Sequence, residues 1–237
     1  MTSLDDARDR LIFALDVEDE ARARALAAAL RPSVGTFKIG LELLMRGGME
    51  LARRLTDGSA LFIDAKLHDV PATVSRAVAQ IVDAGVPVRF ITVHDPVDAA
   101  VRAARGRAGI LRITVLTSTS PASYGGEDAL TRAVVARAVE AQSQGAVGVV
   151  CSPRELAAVR AAAPLLQCVT PGVRPTWASV AGDDQQRTAT VTEAIRAGAS
   201  HLVVGRPIRD ASDPSEAARR VVEEILGALD PSQSPTE

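Results

Sequence analysis

The chain has 237 residues, 47% hydrophobic and 24% charged, which is enough apolar material for one sizeable core. Its net charge of −2 offers no general attraction to nucleic acid or to an anionic membrane, and no apolar run approaches the ~20 residues that a membrane helix requires. Cys151 and Cys168 are the two cysteines. They lack metal-ligand spacing, are too few for a disulfide-stapled secreted fold, and read as small buried hydrophobes.

The opening stretch MTSLDDARDR lacks the basic-then-apolar profile of a signal peptide, so the expected location is the cytoplasm. From there, short β-branched runs alternate with alanine- and arginine-rich amphipathic runs. In chain order the pattern predicts a strand at 11–16, a helix at 19–30, strands at 35–40 and 61–66, and a helix at 72–84. Strands follow at 90–95 and 111–117, a helix at 128–144, a strand at 147–151, a helix at 153–162, and strands at 167–170 and 201–205. Arg102, Arg105, Arg107 and Arg112 read as a solvated helix end, because a polyanion patch would need many more cations.

Eight strands alternating with helices predict an α/β fold, a single closed (β/α)8 TIM barrel. A doubly wound open sheet is the runner-up. It would usually carry a G-x-G-x-x-G turn after the first strand, whereas that strand ends here in Leu15-Asp16-Val17. The Gly/Pro/Asp/Gln-rich stretch 171–189 is long for a barrel loop, and such loops tend to be lids or binding loops. The polar tail 231–237 is expected to be disordered, leaving 1–230 as one catalytic barrel domain.

The strongest chemical signal is the run from Leu61 to Thr73. Asp64 and Lys66 are two apart, so on a strand both side chains project to one face. At the C-terminal end of a barrel strand that face opens into the mouth where barrel enzymes do chemistry. Asp69 follows just past the strand end, and carboxylates on either side of a lysine favour its ammonium form. Alone, Asp-x-Lys fits a structural ion pair equally well. Yet Asp16, Lys38, His94-Asp95, Thr117 and Gly205-Arg206 also fall at or near strand ends, and together they describe a polar mouth above an apolar barrel. Val203-Val-Gly-Arg-Pro207 suggests a phosphate site. Glycine lets backbone N–H groups approach an anion, and arginine offers a planar fork. Arg174 and the Gln185-Gln186-Arg187 run could close over the same anion.

Together these residues resemble the orotidine 5′-monophosphate decarboxylases in their bacterial form. The resemblance runs from Phe13-Ala-Leu-Asp16 to Val204-Gly-Arg-Pro207 and is most specific in Asp64-Ala-Lys66-Leu-His-Asp69-Val-Pro-Ala-Thr73. Phe37-Lys38-Ile-Gly40, Thr92-Val-His94, Val115-Leu-Thr117-Ser118 and Val169-Thr-Pro-Gly-Val-Arg174 also match. Ala65 and Ala72 depart from the usual wording, at positions not expected to do chemistry.

The resemblance implies conversion of orotidine 5′-monophosphate to uridine 5′-monophosphate and CO2, the last step of de novo pyrimidine nucleotide synthesis, without metal or organic cofactor. Lys66 would protonate C6 of the pyrimidine. Asp64 would face the substrate carboxylate, Lys38 would complete the charged array and touch the ribose, and Asp16 would bind ribose hydroxyls. Asp69 and Thr73 would reach into the neighbouring subunit's site, which implies a homodimer. Thr117 or Ser120 would contact the pyrimidine; Arg174, Gly205, Arg206 and either Gln185 or Gln186, with Gln185 favoured, would hold the 5′-phosphate.

Two other readings compete. One is a metal-dependent sugar-phosphate decarboxylase of the same fold; a hard divalent cation wants several carboxylate oxygens, and Lys38 stands where such a site would want an acid. The other is a catalytically silent phosphate-binding barrel, for which Asp64 has little use.

Overall fold

A computed structural model describes residues 3–178 and 188–230; the tail 231–237, expected to be disordered, lies outside them. Helix α1 (Leu4–Asp9) leads into β1 (Leu11–Ala14), α2 (Glu20–Leu30), β2 (Thr36–Ile39), α3 (Leu41–Thr56), β3 (Ala60–His68), α4 (Pro71–Val82) and β4 (Val88–Asp95). The chain continues through α5 (Val97–Ala104), β5 (Gly109–Ile113), α6 (Glu127–Ser143), β6 (Gly148–Val150), α7 (Leu156–Ala162), β7 (Gln167–Thr170), α8 (Val191–Arg196), β8 (His201–Val204), α9 (Arg206–Arg209) and α10 (Pro214–Leu229). The eight strands are parallel and close in sequence order, β8 pairing back onto β1. This is the (β/α)8 barrel expected from the alternation.

Strand periodicity sorts the core into two layers. Along Leu11-Ile-Phe-Ala-Leu15, Ile12 and Ala14 turn inward and pack with Phe62, Phe90, Leu111, Val169 and Val203. Leu11, Phe13 and Leu15 turn outward beneath the helices, with Phe37 and Ile39. Phe62 meets Phe90 edge-on at 6.0 Å inside the barrel, and Phe13 meets Phe37 at 6.3 Å outside it. Both are favourable ring geometries. Local chemistry starts the helices: Asp19 caps α2 through Arg22 N, and Pro71 occupies the first turn of α4, where its missing N–H costs nothing. Cys151 and Cys168 are buried free thiols, as their apolar setting predicts.

Three expectations are corrected. Strand β5 ends at Ile113, so Thr117 stands four residues beyond it in a loop. Arg112 is no part of a solvated helix end: it is buried in β5 and paired with Asp95 at 3.0 Å and Glu140 at 2.5 Å. Arg102, Arg105 and Arg107 are exposed as expected, bonded to Asp98 or Asp83. The 153–162 helix begins as a single 3-10 turn, Pro153–Glu155.

Candidate active site

The C-terminal ends of the strands surround a cavity of about 510 Å³, within the range of small-molecule sites. Asp16, Lys38, Asp64 and Lys66 form one wall. Thr117, Ser118, Arg174, Gly205, Arg206 and Arg209 contribute to the rest, over a floor that includes Ala14, Phe62, Ile113 and Val203.

The charged wall is a chain of alternating signs. Lys38 Nζ donates to Asp16 Oδ1 at 2.8 Å and Oδ2 at 3.2 Å, and lies 3.7 Å from Asp64 Oδ2. Lys66 Nζ donates to the same Asp64 oxygen at 2.8 Å. Burial pushes the Asp64 carboxyl up, but the Lys38 and Lys66 charges and the hydrogen bonds from Lys66 and Thr92 outweigh it. The group ends below its ordinary value and is a carboxylate at neutral pH.

The route by which Asp64 and Lys66 meet differs from simple alternation. Strands β3 and β4 are in register at Ile63 with Ile91 and again at Leu67 with Val93. Three residues of β3 (64, 65 and 66) therefore oppose the single residue 92 of β4. Lys66 takes up the slack with φ of 48°, a left-handed conformation uncommon for a non-glycine residue and characteristic of functional sites. The bulge turns the lysine back onto Asp64.

Asp69 does not bracket Lys66 within one chain. It is exposed, and its Oδ1 accepts from Val70 N; among the described residues the ion-pair partner of Lys66 is Asp64. Thr73 lies in the first turn of α4, its hydroxyl accepting from Arg76, away from the cavity lining. Ser120 is exposed and immediately precedes a 3-10 turn, Pro121–Tyr124, whereas Thr117 lines the cavity. His94 does not line it; the ring is half-buried and meets His68 edge-on at 5.9 Å. Gln185, Gln186 and Arg187 lie outside the described residues.

Several contributors were given no role by the sequence reading. Arg209 donates to the Asp16 carbonyl at 2.7 Å and pairs with Asp210. Ser118 lines the cavity beside Thr117. A Cβ on Gly40 would lie 2.9 Å from Asp16 Oδ1 and 3.2 Å from Lys38 Nζ, so glycine there makes room for the first ion pair of the wall. Thr92, whose hydroxyl donates to Asp64 Oδ1 at 2.9 Å, was also given no role; a polar residue in the apolar strand β4 is the signal that could have found it.

The fold and site define a (β/α)8 barrel with a charged cavity at the C-terminal ends of its strands. The family model for orotidine 5′-phosphate decarboxylase / HUMPS matches residues 9–221, and the chain belongs to that family. It is 46% identical over 231 residues to the orotidine 5′-phosphate decarboxylase of Rhodopseudomonas palustris, covering 93% of this chain and 95% of the relative. It is 42% identical over 238 residues to that of Desulfosudis oleivorans, covering 94% and 95%. The crystal structure of orotidine 5′-phosphate decarboxylase from Lactobacillus acidophilus superposes with a TM-score of 0.76 at 29% identity, covering 91% of this chain and 98% of that one.

Proposed function

We propose that this chain decarboxylates orotidine 5′-monophosphate to uridine 5′-monophosphate, with Lys66 as proton donor. The observation that carries the reading is the Asp16–Lys38–Asp64–Lys66 chain of charges, which lines the same cavity as Arg174 and Arg206. The chain suits a reacting ring and ribose, and the two arginines suit a phosphate.

In the reaction the C6–carboxylate bond breaks, CO2 leaves, and the electron pair stays on C6. Lys66 Nζ then gives its proton to that carbon. Its ammonium also places positive charge where the negative charge develops. A positioned proton donor supplies ~10²–10⁴-fold, about 3–5 kcal/mol. Very slow uncatalysed reactions demand ~20 kcal/mol or more, so binding of the remote phosphate must contribute to ordering the reacting end. Repulsion between Asp64 and the substrate carboxylate, of order 4 kcal/mol for bare charges at about 4 Å and an effective dielectric of 20, is reduced here. Asp64 already accepts from Lys66 and Thr92 and lies near Lys38.

Lys38 weighs against the metal-dependent reading. Its ammonium occupies the space between Asp16 and Asp64, where a divalent cation would seek those oxygens. The exposure of Asp69 and the position of Thr73 on α4 suit a homodimer in which each completes the partner's site. Residues 1–230 act as one catalytic domain in the cytoplasm, with Thr117 beside the pyrimidine.

The test is to mix purified protein with orotidine 5′-monophosphate and excess EDTA and follow the ultraviolet change of the pyrimidine. Full turnover is expected. Turnover that chelator abolishes and divalent cation restores would overturn the reading.

A further inference from the structure

Behind the charged wall, out of reach of the cavity, stands Thr92. It is fully buried in β4 and is the single β4 residue opposite the three-residue bulge of β3. A bulge breaks the ladder and leaves backbone groups unpaired. Here the N–H of Lys66, displaced by the lysine's left-handed backbone, is taken by Thr92 Oγ1 at 2.9 Å. The same hydroxyl sends its own proton to Asp64 Oδ1 at 2.9 Å. That bond occupies one oxygen of Asp64 and turns the other toward Lys66 Nζ, 2.8 Å away.

We propose that Thr92 is a positioning residue for the decarboxylation. By gripping the backbone of Lys66 and the carboxylate of Asp64 with one hydroxyl, it fixes where the proton-donating ammonium sits. The inference rests on the function proposed above. A β-branched residue suits the role, because its χ1 is stiff and a strand interior holds it further. Valine at this position would keep the volume and lose the hydroxyl. Lys66 N–H would then be buried without its acceptor, and Asp64 would be free to rotate. Relaxing the bulge toward a regular strand would carry the Lys66 ammonium away from its present place. Displacements of about 1 Å at a reacting group can cost on the order of a hundredfold in rate.

Thr92→Val and Thr92→Ser are made in the full chain and assayed beside wild type for kcat and KM across pH. In Thr92→Val, kcat is expected to fall about tenfold to a hundredfold, with KM moving less than about threefold. The acid limb of the profile should move upward by about half a pH unit to one unit, because Asp64 loses a hydrogen bond that favours its charged form. A smaller folded fraction would not move that limb. Thr92→Ser, which keeps the hydroxyl, should stay within about threefold of wild-type kcat on the same geometric scale. If Thr92→Val does not fold, Thr92→Ala serves as the hydroxyl-free variant with the same expectations. A hydroxyl-free variant with wild-type kcat and acid limb, or a serine variant as impaired as the valine one, overturns the proposal. A wild-type protein that does not turn over orotidine 5′-monophosphate fails the functional reading instead, so the two failures are told apart.

Discussion

The two ends of the barrel carry charged clusters of similar make-up and opposite character. At the N-terminal end, Arg89 holds Asp9 with two bonds of 2.7 and 2.8 Å and also reaches Thr36 and His201. Nearby, Arg160 donates to Gly198 O, Leu166 O and Ser200 Oγ, and Arg10 reaches the carbonyls of Ala199 and Ser200. A hollow of about 590 Å³ adjoins them, larger than the 510 Å³ of the mouth. Size alone would therefore favour the lower end, although more cations line the mouth. The difference is commitment. The lower arginines spend their donors on carbonyls, a bidentate acid and neighbouring side chains. The two upper lysines belong to the chain Asp16–Lys38–Asp64–Lys66, which ends at Lys66, one third exposed and in a left-handed conformation. A charged network marks a site when some of its donors still face open space.

Substitutions at the two ends should separate rate from stability. The largest expected effect is at the mouth: Lys66→Ala loses at least ~10²–10⁴-fold in kcat, about 3–5 kcal/mol of barrier, with little change in melting temperature. Comparable turnover in the variant would remove Lys66 as the proton donor and blur the contrast.

The lower end should show itself in acid. Burial, and then the Arg89 charge, push the His201 imidazole down from 6.5 to about 4. As pH falls through 6.5 the unfolded chain takes up a proton that the folded one refuses. This stability is thus whole above pH 6.5 and lost by about pH 4, about 3 kcal/mol in all. Denaturant melts across that window should show the slope, and His201→Gln should flatten it. An unchanged slope in the variant would place the acid sensitivity elsewhere.

Next in size, Arg89→Met should cost about 1–3 kcal/mol of stability by leaving partly buried acceptors without their charged donor, while kcat stays within about twofold by the independence of distant sites. A large loss of kcat in soluble, folded protein would show that the two ends are coupled. The smallest effect is expected for Gly40→Ala. Its Cβ would press on the Asp16–Lys38 pair and lower kcat/KM by about tenfold, 1.4 kcal/mol of transition-state binding, with the melting temperature nearly unmoved. Unaltered kcat/KM would mean that this pair can shift without consequence.

Much of this was written in the residue order. Continuous apolar runs such as Leu11-Ile-Phe-Ala-Leu15 specify a strand buried on both faces, and their alternation with amphipathic helical runs specifies the barrel, because these patterns are local properties that burial then reads out. The motif from Asp64 to Thr73 carried the family because it is a local word in the chain; of its residues Asp64 and Lys66 line the mouth cavity, while Asp69 and Thr73 do not. What the sequence could not give was anything decided by two strands at once. The register slip that sets residues 64–66 against Thr92 alone exists only in the paired sheet. So does the close approach of Gly40 to the Asp16–Lys38 pair, and so does the reach of Arg209 across 193 positions to the Asp16 carbonyl. Arg112 read as a surface charge because its partners, Asp95 and Glu140, come from other elements. Strand and helix follow from neighbours along the chain, whereas the geometry of an ion pair follows from neighbours in space, and only closure of the barrel brings those together.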